Sequence, residues 1–264
     1  MEYGNKIILA AHRGDRKCCP ENTMPAFEGA LRFGADMIET DVRMTKDGEL
    51  ILIHDRSLAR TTGFSGFTNE MTLAQIKELD AGGWFSEKFS GVQIPTVEEF
   101  VALIKDSDIH INWELKDYPR DVGAELSFLA ADKLISIIKK YGLEARSMIN
   151  SFSDRVLEYV RRKYGDTFPI HGQGICGCKK SIDSAEMKDD QLYDWCCLYS
   201  NVKGKTALDY PENFEYCIDH GILPCVCVAE NFDTYKRYVE LGCRMFTSND
   251  IYAAERILKE LNLR

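Results

Sequence analysis

The run Asp36-Met37-Ile38-Glu39-Thr40-Asp41-Val42 carries the reading of the fold. Its alternation puts Met37, Glu39 and Asp41 on one face and Ile38 and Val42 on the other, the two-residue period of a β-strand. A barrel strand covered by helices on one face and filling the lumen with the other should be almost wholly apolar, so polar residues of a single parity mark the open mouth. The same parity recurs in Ile109–Leu115, where Asn112 and Glu114, with Lys116 beyond, oppose Ile111, Trp113 and Leu115.

Outward from these two strands the pattern repeats. Further β-rich runs are Ile7–Ala11, Ser147–Asn150, Thr167–His171, Asp194–Tyr199, Leu223–Val228 and Arg244–Thr247. The helical candidates between and after them are Pro25–Phe33, Thr96–Lys105, Val122–Tyr141, Ser153–Tyr164, Ser181–Asp190, Glu212–His220, Phe232–Leu241 and Ile251–Leu261. In the last, Ile251, Ala254, Ile257, Leu258 and Leu261 keep the i, i+3, i+4 spacing of an amphipathic helix. Eight βα units in 264 residues predict an α/β chain folded as one (β/α)8 TIM barrel domain over 1–264. One connection is oversized: about 43–95, between the second strand and its helix, holds Lys46-Asp47-Gly48, a strand-like Leu50–Ile53, a helix at Leu73–Leu79 and the aromatics Trp84, Phe85 and Phe89. Strand-to-helix loops lie at the catalytic face of such a barrel, so this insertion is expected to form part of a substrate pocket.

Composition excludes several classes. With 45% hydrophobic and 28% charged residues the chain is globular rather than disordered, collagenous or a small disulfide scaffold. Its 33 basic and 42 acidic residues give a formal charge of −9, which disfavours nucleic acid as a partner. No apolar run approaches the ~20 residues of a membrane span and the start lacks a signal-peptide profile, so a soluble, cytoplasmic protein without stable membrane association is expected. Ten cysteines, at 18, 19, 176, 178, 196, 197, 217, 225, 227 and 243, form no C-x-x-C pair, and those at 196, 197, 225 and 227 read as small reduced core residues.

Three carboxylates, Glu39, Asp41 and Glu114, at the ends of adjacent strands would repel one another unless a cation sat among them, and hard oxygen donors select Mg²⁺ or Ca²⁺. If Asp47-Gly48 forms a two-residue type I′ turn, Lys46 faces Glu49, opposed positions sum to 95, and His54 falls opposite Asp41. His12, followed by Arg13-Gly14, ends the first strand beside them. Two histidines and a cation at one mouth suit acid/base work on an electrophile. His110 and His220 read as structural, His171 stays open, and Asp250 reads as a helix N-cap.

These residues together resemble the signature of the glycerophosphodiester phosphodiesterase family. The matching stretches are His12-Arg13-Gly14, Pro20-Glu21-Asn22-Thr23, Glu39-Thr40-Asp41-Val42, Lys46-Asp47-Gly48, His54-Asp55, Arg60-Thr61-Thr62-Gly63, Leu79-Asp80-Ala81-Gly82, Ile94-Pro95-Thr96, Glu114-Leu115-Lys116 and Ser151-Phe152. The resemblance implies hydrolysis of a small-molecule glycerophosphodiester to glycerol 3-phosphate and an alcohol. It also implies a divalent cation at Glu39, Asp41 and Glu114, an acid/base pair in His12 and His54, and phosphate contacts from Arg13 and Lys116. The final third departs from the family pattern. Val228 stands where a Trp usually precedes the Asn matched by Asn231, and Thr247-Ser248-Asn249-Asp250 replaces Thr-Asp-x-Pro. Two other readings stay open at this point. One is a phosphodiesterase of lysophospholipids, if Phe64, Phe67, Trp84 and Phe85 form an apolar wall; the other is a non-catalytic phosphodiester-binding barrel.

Overall fold

The computed structural model describes residues 6–174, 181–199, 205–227 and 231–264. Among these, the strands are β1 (Ile8–His12), β2 (Met37–Met44), β3 (Leu50–Leu52), β4 (His110–Leu115), β5 (Ser147–Asn150), β6 (Ile170–Gly172), β7 (Trp195–Tyr199), β8 (Leu223–Cys227) and β9 (Met245–Ser248). All except β3 run parallel, in the order β1-β9-β8-β7-β6-β5-β4-β2, and the β1–β2 pairing closes the ring into a TIM barrel. Val228 lies outside the described residues.

Each barrel strand divides its side chains as its parity requires. Ile38, Val42, Ile111, Trp113, Leu115, Leu198, Val226 and Phe246 point outward into the layer shared with the helices. Ile8, Ala10, Met37, Met148, Trp195, Cys197, Cys225 and Met245 fill the lumen below the mouth. The outer layer is close-packed: Trp113 is fully buried, with the Phe100 ring edge-on at 5.5 Å and its indole N–H donating to Ser147 Oγ at 3.0 Å. Truncating such a residue to Ala costs about 3–5 kcal/mol. The helices begin on polar caps. Thr96 and Glu99 form a reciprocal capping box, and Asp250 accepts from Ala253 N–H as the sequence predicts.

Two kinds of expectation need correction, helix bounds and strand register. The segment Ser181–Asp190 is not a helix; only Asp189–Leu192 is helical there. Ile182 N–H donates to Phe152 O, and Ser153 Oγ bonds Asp183, so this stretch is held in extended form against the end of β5. Ser and Asp side chains that bond neighbouring backbone compete with helix formation, and here they win. The insertion helix likewise stops early, at Leu73–Ile76.

The second correction is to the β2–β3 register. Val42 faces Leu52 and Met44 faces Leu50, so opposed positions sum to 94 rather than 95. The turn contains three residues, Lys46-Asp47-Gly48: Gly48 has φ 84° and its N–H returns to Thr45 O, while Thr45 Oγ accepts from Glu49 N–H. That is a type I turn closed by a left-handed glycine, which adds one residue to the loop. Asp41 therefore faces Ile53 across the hairpin, whose N–H donates to Asp41 O, and His54 is not opposite Asp41. Arg43 fixes the backbone beyond the hairpin, because its guanidinium donates to His54 O, Lys116 O and Asp117 Oδ1.

Candidate active site

The mouth is assembled by strand register. His12 pairs with Glu39, Glu39 with Asn112, Asp41 with Glu114, and Glu114 with Asn150. Because all lie on the inward parity, His12, Glu39, Asp41, Glu114 and Lys116 converge on one side of the lumen. An oxygen from each of the three carboxylates lies within 4.8 Å of the other two.

The loop after β1 holds this cluster from above. Arg13 has φ 60° and Gly14 φ 80°, and a Cβ at Gly14 would stand 2.7 Å from the Ala26 backbone, so only glycine fits. The turn directs Arg13 N–H to Glu39 Oε2 at 3.0 Å and sets Arg13 Nε 3.2 Å from Asp41 Oδ2. Asn22, itself at φ 55°, donates to Asp41 Oδ2 at 2.7 Å and accepts from Thr40 Oγ. Buried Glu21 collects Arg13, Arg16 and Arg60. Lys116 Nζ lies 2.5 Å from Glu114 and 3.4 Å from Asp41.

Electrostatics follow from this packing. Burial opposes the ionisation of Asp41, but the Lys116, Arg13 and His54 charges and the Asn22 hydrogen bond outweigh it and hold the carboxyl well below the usual range. Burial also raises Glu39, and there the Asp41 and Glu114 charges add to it, so Glu39 is pushed well above the usual range. Glu21 is held down to about 2, because Arg60 and Arg13 outweigh its burial. Burial would neutralise Lys116, yet Glu114 and Asp41 raise it. Glu39 is thus the carboxylate left without enough counter-charge, and its Oε1 is buried without a hydrogen-bond partner. A partnerless carboxylate oxygen beside two more carboxylates is a donor set fitted to a hard divalent cation.

Both histidines offer Nε2. The side-chain oxygen of Asn249 accepts from His12 Nδ1 at 2.5 Å, which leaves Nε2 facing Glu39 Oε2 at 3.8 Å. Burial, then the Arg13 and Arg16 charges, lowers the His12 imidazole to about 3 and keeps it neutral. His54 Nδ1 bonds Asp55 at 2.5 Å, Asp55 bonds Arg60, and Arg60 returns to Glu21. A carboxylate on Nδ1 fixes the tautomer and the ring orientation. His54 thus reaches the cluster through a loop held by Arg43 and Asp55 rather than through hairpin pairing.

The other three histidines stand apart from the carboxylates. His110 starts β4 at the opposite end of the barrel, and His220 follows a helix with Nδ1 on Tyr216 O. His171 lies in the lumen, with Nδ1 3.0 Å from the Asn112 amide and Nε2 3.0 Å from Cys225 Sγ. Cys196, Cys217 and Cys243 pack in the outer layer as small core residues, whereas Cys197 and Cys225 join His171 in the lumen. Asn22 and Asn249 were not singled out by sequence reasoning. Asn22 stands in a quoted motif with no role attached, and Asn249 joins His12 from 237 residues away.

The chain also matches known proteins in sequence and in fold. A glycerophosphodiester phosphodiesterase of Caldanaerobacter subterraneus subsp. tengcongensis is 46% identical over 157 residues, covering 60% of this chain and 63% of that protein. A glycerophosphodiester phosphodiesterase of Bacillus subtilis is 36% identical over 168 residues, covering 60% and 56%. The matched stretch thus spans less than two thirds of these relatives. Among solved structures, a glycerophosphodiester phosphodiesterase from Agrobacterium tumefaciens superposes with TM-score 0.74 at 22% identity, covering 94% of this chain and 99% of that one. A phosphodiesterase from Oleispira antarctica, solved in complex with the product sn-glycerol-3-phosphate, superposes with TM-score 0.76 at 21% identity, covering 97% of each. The sequence profile of the glycerophosphoryl diester phosphodiesterase family matches residues 12–196, and the chain belongs to that family.

Proposed function

We propose that this chain hydrolyses glycerophosphodiesters to glycerol 3-phosphate and an alcohol, acting through residues 1–264 as one barrel domain with 43–95 inserted at its mouth. The observation that carries the reading is the gathering of three buried carboxylates, two cations and His12 Nε2 at one mouth, with His54 near enough to act on Asp41. The glycerol 3-phosphate bound by the Oleispira antarctica neighbour supports the substrate class.

Glu39, Asp41 and Glu114 would hold Mg²⁺ or Ca²⁺, which when bound neutralises charge on the phosphodiester. Arg13 and Lys116 lie against the same carboxylates, placed to turn toward a phosphate as that charge is shared out. His12, kept neutral, takes a proton from the water whose oxygen bonds to phosphorus. His54, with Asp55 on Nδ1, gives a proton to the departing alkoxide. The test is turnover of glycerophosphocholine, glycerophosphoethanolamine and glycerophosphoinositol, read by enzymatic detection of glycerol 3-phosphate. Absence of turnover on all three, with metal added and folding confirmed, refutes the reading.

Phe64, Phe67 and Trp84 are exposed on the insertion, which favours a second reading in which the glycerol of the substrate carries an acyl chain, as in a lysophospholipid. Higher kcat/KM on lysophosphatidylcholine than on glycerophosphocholine would select it.

A further inference from the structure

On the side of the lumen away from the carboxylates, a second set of ligating side chains faces inward. His171 on β6, Cys197 on β7 and Cys225 on β8 are all buried, and Cys197 and Cys225 are register partners on adjacent strands. One atom from each lies within 4.8 Å of the other two. The phosphodiester chemistry above uses none of them.

The surroundings fit a ligand role better than a packing role. A small apolar lumen residue would fill this space without asking for partners, whereas an imidazole there must be satisfied on both nitrogens. Nδ1 faces the Asn112 amide nitrogen at 3.0 Å, while Asn112 Oδ1 is buried without a partner. A half-turn of that amide exchanges the two atoms. Oδ1 then accepts from Nδ1–H, and the Nε2 lone pair is directed at the thiols, as the outer partners of metal-bound imidazoles arrange it. Tetrahedral zinc, with bonds of about 2.3 Å to sulfur and 2.0–2.1 Å to nitrogen, needs its donor atoms roughly 3.5–3.8 Å apart. The three donor atoms all lie within 4.8 Å of one another, with Nε2 3.0 Å from Cys225 Sγ, so their spacing brackets that requirement.

We propose that His171, Cys197 and Cys225 form a soft-cation site that binds Zn²⁺ and is chemically distinct from the carboxylate site in the same lumen. Loading exchanges one Zn²⁺ for two thiol protons, forms two Zn–S bonds and one Zn–N bond, and needs no oxidant. Two thiolates cancel the charge of the ion, so it can occupy a dry lumen without a further counter-charge. Hard Mg²⁺ and Ca²⁺ prefer the oxygen site, and the thiolates exclude them.

The experiment uses the full chain, reduced, with Mg²⁺ in excess over the carboxylate site. One equivalent of Zn²⁺ should bind, and X-ray absorption at the zinc edge should show two sulfurs and a nitrogen. Cys225→Ser should remove one sulfur, whereas Glu39→Gln should leave the shell unchanged. Should Cys225→Ser fail to fold, alkylation of the wild type decides: Zn²⁺ should slow labelling of Cys197 and Cys225 at least tenfold more than labelling of Cys217 and Cys243, which are buried in the outer layer. A shell of oxygen and nitrogen alone, two sulfurs persisting in folded Cys225→Ser, or equal slowing at all four cysteines overturns the site.

Discussion

On its β1, β2 and β4 side the lumen carries His12, Glu39, Asp41, Glu114 and Lys116; on its β6, β7 and β8 side it carries His171, Cys197 and Cys225. One closed sheet thus presents hard oxygen donors and soft sulfur donors across a single cavity, with Asn112 between them as register partner of Glu39 and side-chain partner of His171. The charged side is held by a network of ion pairs: Arg13, Arg16 and Arg60 on Glu21, and Lys116 on Asp41 and Glu114. The thiol side has no such network of ion pairs among the described residues and is joined instead by the His171–Cys225 and His171–Asn112 hydrogen bonds. The contrast teaches that charge in this lumen is confined to strands whose loops supply counter-charges, because an unpaired charge in that dry space is too costly.

The sharpest way to break the comparison is to remove the cation. Chelation, with metal loss verified, should reduce hydrolysis to background, and added Mg²⁺ or Ca²⁺ should restore it; full activity in excess chelator would refute the carboxylate site. Next in size are the histidines. His12→Ala and His54→Ala should each lower kcat/KM by roughly 10²–10⁴, with the double variant much less than multiplicatively worse. His110→Ala, outside the mouth, should change it less than about twofold. A wild-type rate from His54→Ala would exclude that residue as the acid.

A smaller effect sharpens the electrostatic half. His12 titrates at about 3 in the folded protein against 6.5 in an unfolded chain, so below 6.5 the unfolded state binds a proton that the folded state does not. The contribution of His12 to stability should therefore fall as pH drops from about 6.5 toward 3, by up to about 1.4 kcal/mol per pH unit. Glu21, held at about 2, adds its own loss only below about 4.5. Glu39, pushed well above the usual range, contributes the opposite slope above about 4.5, so the readout is a difference: urea denaturation of the metal-free wild type and of His12→Ala between pH 6.5 and 5 should diverge by the His12 slope. The smallest expected effect is a gain: Glu39→Gln removes the carboxylate that burial and Asp41 and Glu114 disfavour, and should raise the Tm of the metal-free protein while weakening cation binding. An unchanged or lowered Tm would show that Glu39 is not the strained member.

The periodicities that place Glu39, Asp41 and Glu114 on one face are local, and they were legible because strand parity does not depend on distant contacts. The βα alternation was legible for the same reason. The hairpin slipped by one residue because the Thr45 hydroxyl and the left-handed Gly48 favour a three-residue turn, a choice between nearly equal loops that depends on side-chain bonds. Ser181–Asp190 misled because its helical pattern is weak and its Ser and Asp side chains find partners at the end of β5.

What the sequence determined by itself is the set of chemical groups and the face of each strand that bears them, since both follow from residue identity and a period of two. Only the tertiary structure decided who stands next to whom. Closure of β1 on β9 delivers Asn249 to His12, the loop after β1 turns Arg13 and Asn22 onto Asp41, and the curvature of the ring sets Cys197 and Cys225 against His171. The physical reason is that protonation, tautomer and metal preference depend on burial and on charges within a few ångströms, and those distances are set by closing the sheet.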